Sequence, residues 1–167
     1  EFNYNNTGYG LLAAIVERVS GQTFPKFMQE NVFGPLGMRG TQVRPSPEHI
    51  VPGRSVGYLP GDDGTFREAK DVGGSVGAGG IYATVIDLQT WVENFWKAEV
   101  GTPETFRQMM TSYVLTNGDT TGYGFGLFLD HHRGLRRVNH GGADVAHRSQ
   151  LIHYTEIRAG LTTQRNH

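Results

Sequence analysis

At 167 residues with a formal net charge of −1, the chain is long enough for one domain with a real core, and it offers no electrostatic case for nucleic acid or an anionic membrane surface. It has no cysteine, which excludes disulfides, cysteine-zinc sites and thiol catalysis without assigning a compartment. No apolar run approaches the roughly 18 residues of a spanning helix, and glycine, at 24 residues, has about twice its average share, which points to tight turns and close backbone approaches.

In chain order, Tyr4 and Asn6 stand two apart just ahead of the first predicted helix. That spacing lets both side chains point the same way from a loop, although N-terminal Asn and Thr more often act as helix caps. Leu11, Leu12, Ile15, Val16 and Val19 recur at helical spacing as one apolar stripe, and Gly21 stops the helix. Thr23 caps a second, short helix with Pro25 in its first turn; Phe24, Phe27, Met28 and Val32 form its buried face, and Gly34-Pro35-Leu36-Gly37 ends it. Residues 42–72 carry Pro45, Pro47, Pro52, Pro60 and the turn Asp62-Asp63-Gly64. They predict a long irregular excursion with a short hairpin between Gly57 and Phe66, and such loops are often binding surfaces.

A glycine-rich stretch, Gly73 to Gly80, precedes Thr84-x-x-Asp87, which reads as a capping box. The helix behind it puts Val85, Leu88, Trp91, Val92 and Phe95 on one side. Thr102-Pro103-Glu104 opens another helix, with Phe106, Met109 and Met110 packing inward. After Asn117-Gly118-Asp119 the period changes. Phe125, Leu127 and Leu129 alternate, a turn follows near His132 to Gly134, and Arg137–His140, His147–Tyr154 and Arg158–Thr163 read as strands. Helices first and tightly linked strands last predict an α+β fold with an antiparallel sheet. No internal repeat or low-complexity segment is present.

Several of these stretches together resemble a known family. Tyr4-x-Asn6, Thr7-Gly8-Tyr9-x-Leu11-Leu12 and Ile15-x-Glu17-x-Val19-Ser20-Gly21 look like the second motif of the serine β-lactamase and penicillin-binding-protein-like hydrolases, in the branch of class C β-lactamases, esterases and D-aminopeptidases. The likeness continues through Phe33-Gly34-Pro35-Leu36-Gly37-Met38, Gly79-Gly80-Ile81-Tyr82-Ala83-Thr84-x-x-Asp87-Leu88 and Gly122-Tyr123-Gly124-x-Gly126. It ends at His140-Gly141-Gly142, where that family has K-T-G or H-x-G. The family's first motif, S-x-x-K, which carries the nucleophile, occurs nowhere in the chain.

The resemblance implies an antiparallel sheet with packed helices in a β-lactamase/transpeptidase-like fold, and one partial domain over 1–167. The expectation is of a fragment, with the upstream strands, the nucleophile helix and the closing C-terminal helix missing. It also implies roles. Tyr4 would take the proton from a nucleophilic Ser and return it. A phenol in water has a pKa near 10, so roughly 1 in 1,000 is ionised at pH 7, and a neighbouring cation is needed to make it a base. The family supplies that cation from S-x-x-K. Asn6 would hydrogen-bond the substrate's amide or carbonyl, a role compatible with capping. Gly141 and Gly142 would let substrate lie against the strand edge, and the Ala143 N–H would be one of two oxyanion donors, the other belonging to the absent Ser. His140 stands where β-lactamases carry Lys; an imidazole is mostly neutral in water at pH 7 and anchors a carboxylate weakly, which favours an esterase or aminopeptidase type over a β-lactamase. The plainer readings are an aromatic anchor for Tyr4 and a strand-end hydrogen-bonded histidine for His140.

Three other patterns compete. Gly73-Gly74-Ser75-Val76-Gly77 matches the G-x-S-x-G nucleophile elbow, but Arg67-Glu68-Ala69-Lys70-Asp71 is no buried strand and no helix follows at once. Seven histidines raise a metal site; His147 and His153 would share a strand face, yet no H-E-x-x-H is present, and surface or strand-edge histidines explain them better. Arg133, Arg136 and Arg137 read as a solvated hairpin. No cofactor is implied. The function read from the chain is acyl-enzyme hydrolysis of a small ester, amide or β-lactam, inactive here for want of the Ser; the alternative is a non-catalytic binding or assembly module. A sheet face left uncovered by the missing elements further predicts self-association, pairing with the missing portion, or marginal stability.

Overall fold

A computed structural model of the chain describes residues 1–70, 73 and 76–166. Ser75 of the G-x-S-x-G pattern therefore lies outside the described residues. Helix α1 runs Asn6–Ser20 and ends at Gly21, whose φ of 69° places it in the left-handed region that favours glycine. Its cap is Asn5, not Asn6: the Asn5 side chain accepts from Gly8 N at 2.9 Å. The stripe along it forms as predicted but is not buried. Leu11, Leu12, Ile15 and Val19 are 53–83% exposed, and Ala13 is the buried residue of the helix.

Thr23 precedes α2 (Phe24–Met28), which continues as a π-helical turn over Gln29–Phe33. The segment read as a terminator is core. Phe33, Leu36, Met38 and Val43 bury together, with Phe24, Met28 and Val32 against them. Two short ladders follow, β1 (Gln42–Val43) with β4 (Ile81–Tyr82) and β2 (Tyr58–Pro60) with β3 (Phe66–Glu68). The second is the predicted hairpin of the excursion.

Helix α3 (Val85–Lys97) begins at Thr84, whose hydroxyl accepts from Asp87 N at 3.1 Å. Asp87 does not complete a capping box. It is buried, and its carboxylate accepts from Gly40 N and Thr41 Oγ1, both at 2.8 Å, tying the helix start to the turn before β1. Helix α4 (Pro103–Met109) is capped by Thr102 and buries Phe106.

The last third is a meander, β5 (Phe128–His132), β6 (Leu135–Asp144), β7 (His147–Tyr154) and β8 (Ala159–Arg165), antiparallel throughout and in that order. Arg133 and Gly134, with φ of 51° and 82°, make the two-residue turn between β5 and β6. The predicted alternation from Phe125 fails at its start: the strand begins at Phe128, and Phe125 is exposed while Leu127 is core. Val138, His153 and Gly160 stand in register across β6, β7 and β8 beneath α3. A Cβ on Gly160 would come 2.5 Å from Val92 Cγ1, so helix and sheet pack in direct contact. Phe95, Phe106, Leu127 and Val138 fill that layer, and Trp91 touches both this cluster and the first.

His153, 3% exposed, stacks on Trp96 (centroids 5.2 Å apart) and meets Phe95 edge-on, with Nδ1 unpartnered among the described residues. Burial pushes its pKa below the ordinary value; the Ala159 backbone and Glu156 oppose this, and Arg136 adds to it. The unfolded chain then takes up this proton first, so the fold loses stability as pH falls below about 6.5. His153→Leu should flatten that slope between pH 7.5 and 5 in urea unfolding; an unchanged slope would contradict the assignment.

Candidate active site

The candidate site sits where β5 stops. The β5–β6 ladder ends at Phe128↔Asn139, while β6 continues paired with β7 alone through His140↔Leu151, Gly141↔Gln150, Gly142↔Ser149, Ala143↔Arg148 and Asp144↔His147. His140 to Asp144 therefore present one open backbone edge. Gly141, Gly142 and Ala143 are all exposed. Neither glycine adopts a positive φ, so the backbone conformation does not require them. A Cβ on Gly142 would lie 2.3 Å from Ser149 Oγ and one on Gly141 3.0 Å from Gln150 Oε1, so the ends of those two side chains would have to move to admit it. The same three residues border an open cavity of about 600 Å³ that extends over Arg148, Gln150 and Arg165.

The start of the chain lies against this edge. The Tyr4 hydroxyl comes within 3.5 Å of His140 Nε2, a long contact between residues 136 apart, and their ring centroids are 6.1 Å apart. Two of the residues singled out in the sequence thus meet. Asn6 lies in the first turn of α1; its side chain is exposed and makes no hydrogen bond among the described residues. The plain alternatives fare differently. Tyr4 does anchor in an aromatic cluster, but His140 is neither in a turn nor at a strand end.

The sequence reading missed the rest of that cluster. Phe128 lies nearly parallel to Tyr4 (6.2 Å, 17°) and stacks on His140 (5.6 Å, 29°). Tyr123 meets Tyr4 edge-on at 5.9 Å and Phe128 at 4.8 Å. The signal was the tyrosine within Gly122-Tyr123-Gly124-x-Gly126, a motif that had been given no role. Tyr123 is 7% exposed, and burial holds its hydroxyl well above the usual phenol range, with the Tyr9 phenol adding to the shift.

The histidines do not converge. His147 Nε2 contacts Ser55 Oγ and Ser55 O, each at 3.2 Å, pinning the excursion to the β6–β7 turn, while His153 is core. Among the described residues no group of three or more His, Asp or Glu is placed to hold a metal ion. In the basic hairpin, Arg137 forms a two-pronged ion pair with Asp130, both bonds 2.7 Å, and Arg136 donates to Met110 O.

A family profile described as Beta-lactamase matches residues 1–165. The chain is 26% identical over 176 aligned residues to a D-aminopeptidase of Cereibacter sphaeroides, covering 99% of this chain and 32% of that one. It is 30% identical over 172 residues to penicillin-binding protein 4* of Bacillus subtilis, covering 95% and 38%. Among solved structures, the octameric penicillin-binding protein homologue from Pyrococcus abyssi superposes with a TM-score of 0.86 at 25% identity, covering 99% of this chain and 39% of that one. The mixed helix and antiparallel-sheet fold is that of penicillin-binding proteins and β-lactamases, matched over part of those chains. The chain spans about a third of the length of the curated relatives it matches.

Proposed function

The chain belongs to the beta-lactamase family, and from that membership we propose that residues 1–167 form one partial serine hydrolase domain, holding the base and the substrate edge of an acyl-transfer site without its nucleophile. The observation that carries this is the Tyr4 hydroxyl 3.5 Å from His140 at the open end of β6. With a Ser supplied by an S-x-x-K segment, Tyr4 would accept its proton as the Ser oxygen attacks the substrate carbonyl. It would then pass that proton to the leaving group, and water would hydrolyse the ester in the same way. Asn6 would hold the substrate's amide or carbonyl, Gly141 and Gly142 would admit it to the edge, and the Ala143 N–H would supply one oxyanion donor. By itself the chain would be inactive. An imidazole at 140 favours small esters or amides over β-lactams. The name of one relative, a D-aminopeptidase, supports the amide reading, while another is named a penicillin-binding protein.

A second reading, a binding or assembly module that retains the fold, is favoured by the bare apolar stripe of α1. The test is a substrate panel in a protein that carries an S-x-x-K segment ahead of this chain: a D-aminoacyl p-nitroanilide, a p-nitrophenyl ester and a penicillin. Turnover of ester or amide above that of penicillin is expected. A folded protein that turns over none of them would favour the module.

A further inference from the structure

The Gly122–Gly126 loop carries a side chain that the proposed chemistry leaves unused. Its main chain is closely tied. Tyr113 N donates to Tyr123 O at 3.1 Å, Tyr123 N to Thr121 Oγ1 at 3.2 Å, Gly124 N to Leu127 O at 2.9 Å and Phe125 N to Met109 O at 3.1 Å. A Cβ on Gly124 would lie 2.0 Å from Met109 O, and Gly122 and Gly126 take φ of 64° and 74°. Only glycines let the loop press this close to the end of α4. The result is that Phe125 faces solvent, 63% exposed, while Tyr123 turns inward, 7% exposed.

Inside, the Tyr123 ring touches every member of the candidate site's aromatic group. It meets Tyr4 at 5.9 Å and 90°, Phe128 at 4.8 Å and 75°, and His140 at 6.5 Å and 66°, while Phe2 covers it at 5.2 Å. Its hydroxyl is buried and has no partner at full hydrogen-bond geometry among the described residues, the Tyr9 phenol lying nearby, so it is turned away from substrate. Tyr4, by contrast, is 44% exposed and precedes α1, and its hydroxyl's hydrogen-bond contact is with His140. The orientation of Tyr4 is therefore set by the rings around it, which favour edge-on and offset arrangements.

We infer that Tyr123 is a positioning residue, its ring setting the angle at which Tyr4 meets His140, with the glycine-rich loop as its mount. This rests on the assignment of Tyr4 and His140 to one site. The ring does the positioning, so Tyr123→Phe preserves the geometry, and it removes only a buried hydroxyl.

The test uses the chain as it stands, isotope-labelled, and reads the ring ¹⁵N resonances of His140 by NMR at one fixed pH; these report the imidazole's hydrogen bonding, which a general loss of packing does not move in a defined direction. Tyr4→Phe gives the reference shift. Tyr123→Leu should move the His140 Nε2 resonance in the same direction by at least half as much, and Tyr123→Phe should leave it in place. A wild-type His140 signal in Tyr123→Leu, where Tyr4→Phe moves it, overturns the proposal alone. An unmoved signal in Tyr4→Phe overturns the Tyr4–His140 pairing and the proposal with it. Should Tyr123→Leu not fold, nuclear Overhauser contacts between the Tyr123 and Tyr4 rings in the unmutated chain decide; their presence supports the proposal and their absence overturns it.

Discussion

Tyr4→Phe is expected to lower turnover by about 10²- to 10⁴-fold in a protein that carries this chain behind an S-x-x-K segment, the range that one positioned acid–base group contributes. The substitution removes one oxygen and keeps the ring. The contacts with Phe128 and Tyr123 therefore survive, and the thermal midpoint should stay within about 2 °C, since an exposed substitution rarely moves stability by more than about 0.5 kcal/mol. The loss should fall on kcat more than on KM, because the proton moves only as the Ser–carbonyl bond forms. Steady-state kinetics of the paired proteins checks it. Turnover within a few-fold of the parent would remove Tyr4 from the base role and leave it as an aromatic anchor.

Asp87→Ala is expected to cost about 2 kcal/mol of stability, chiefly from the buried Thr41 hydroxyl left without an acceptor at about 1–3 kcal/mol, the N–H of the exposed Gly40 adding less. Gly40 N and Thr41 Oγ1 both donate to the one carboxylate oxygen, and Thr41 is 3% exposed, so water does not readily take its place. For a chain of this size, that is a fall in thermal midpoint of about 4–8 °C. Asp87→Asn keeps a carbonyl acceptor and should lose less. Thermal and urea melts of the two variants give the comparison. A loss below about 1 kcal/mol in Asp87→Ala would show that the turn before β1 does not depend on this carboxylate.

Asp87 also shows where sequence reading stops. Thr84-x-x-Asp87 has the local pattern of a capping box, and the threonine half forms. The aspartate's real partners lie 46 and 47 residues earlier, beyond any local pattern. Helix α1 teaches a related lesson. Periodicity states which residues share a face, and that was legible; it does not state what covers the face, and here Val19 is 83% exposed. Phe33, Leu36 and Met38 were missed as core because a π-helical turn and Gly34-Pro35 break the 3.6-residue period. The four-strand meander was legible because its turns are short and its strands alternate. Leu127 kept to that alternation in burial, and Phe125 did not, because the glycines on either side turn it out.

The site divides in the same way. Tyr4 and His140 are 136 residues apart, and no spacing rule joins them; the family resemblance did, and the fold brings them together. The glycines at 141 and 142 were read as places where substrate approaches the strand edge; the near neighbours in the structure are the side chains of Ser149 and Gln150. Tyr123 and Phe128 went unnoticed because a buried aromatic among glycines has no chemistry of its own until its neighbours are known. The exposed stripe of α1 is an apolar surface of the kind that marks an interaction site, and it lies on the helix that begins directly behind Tyr4.

The central claim is that these residues hold a base and a substrate edge but no nucleophile. Intact-mass spectrometry of the chain after incubation with a fluorophosphonate, and separately with a penicillin, tests it most directly. The account predicts the unmodified mass in both. A stoichiometric adduct with either reagent would contradict it, and Ser75 would be the first residue to replace.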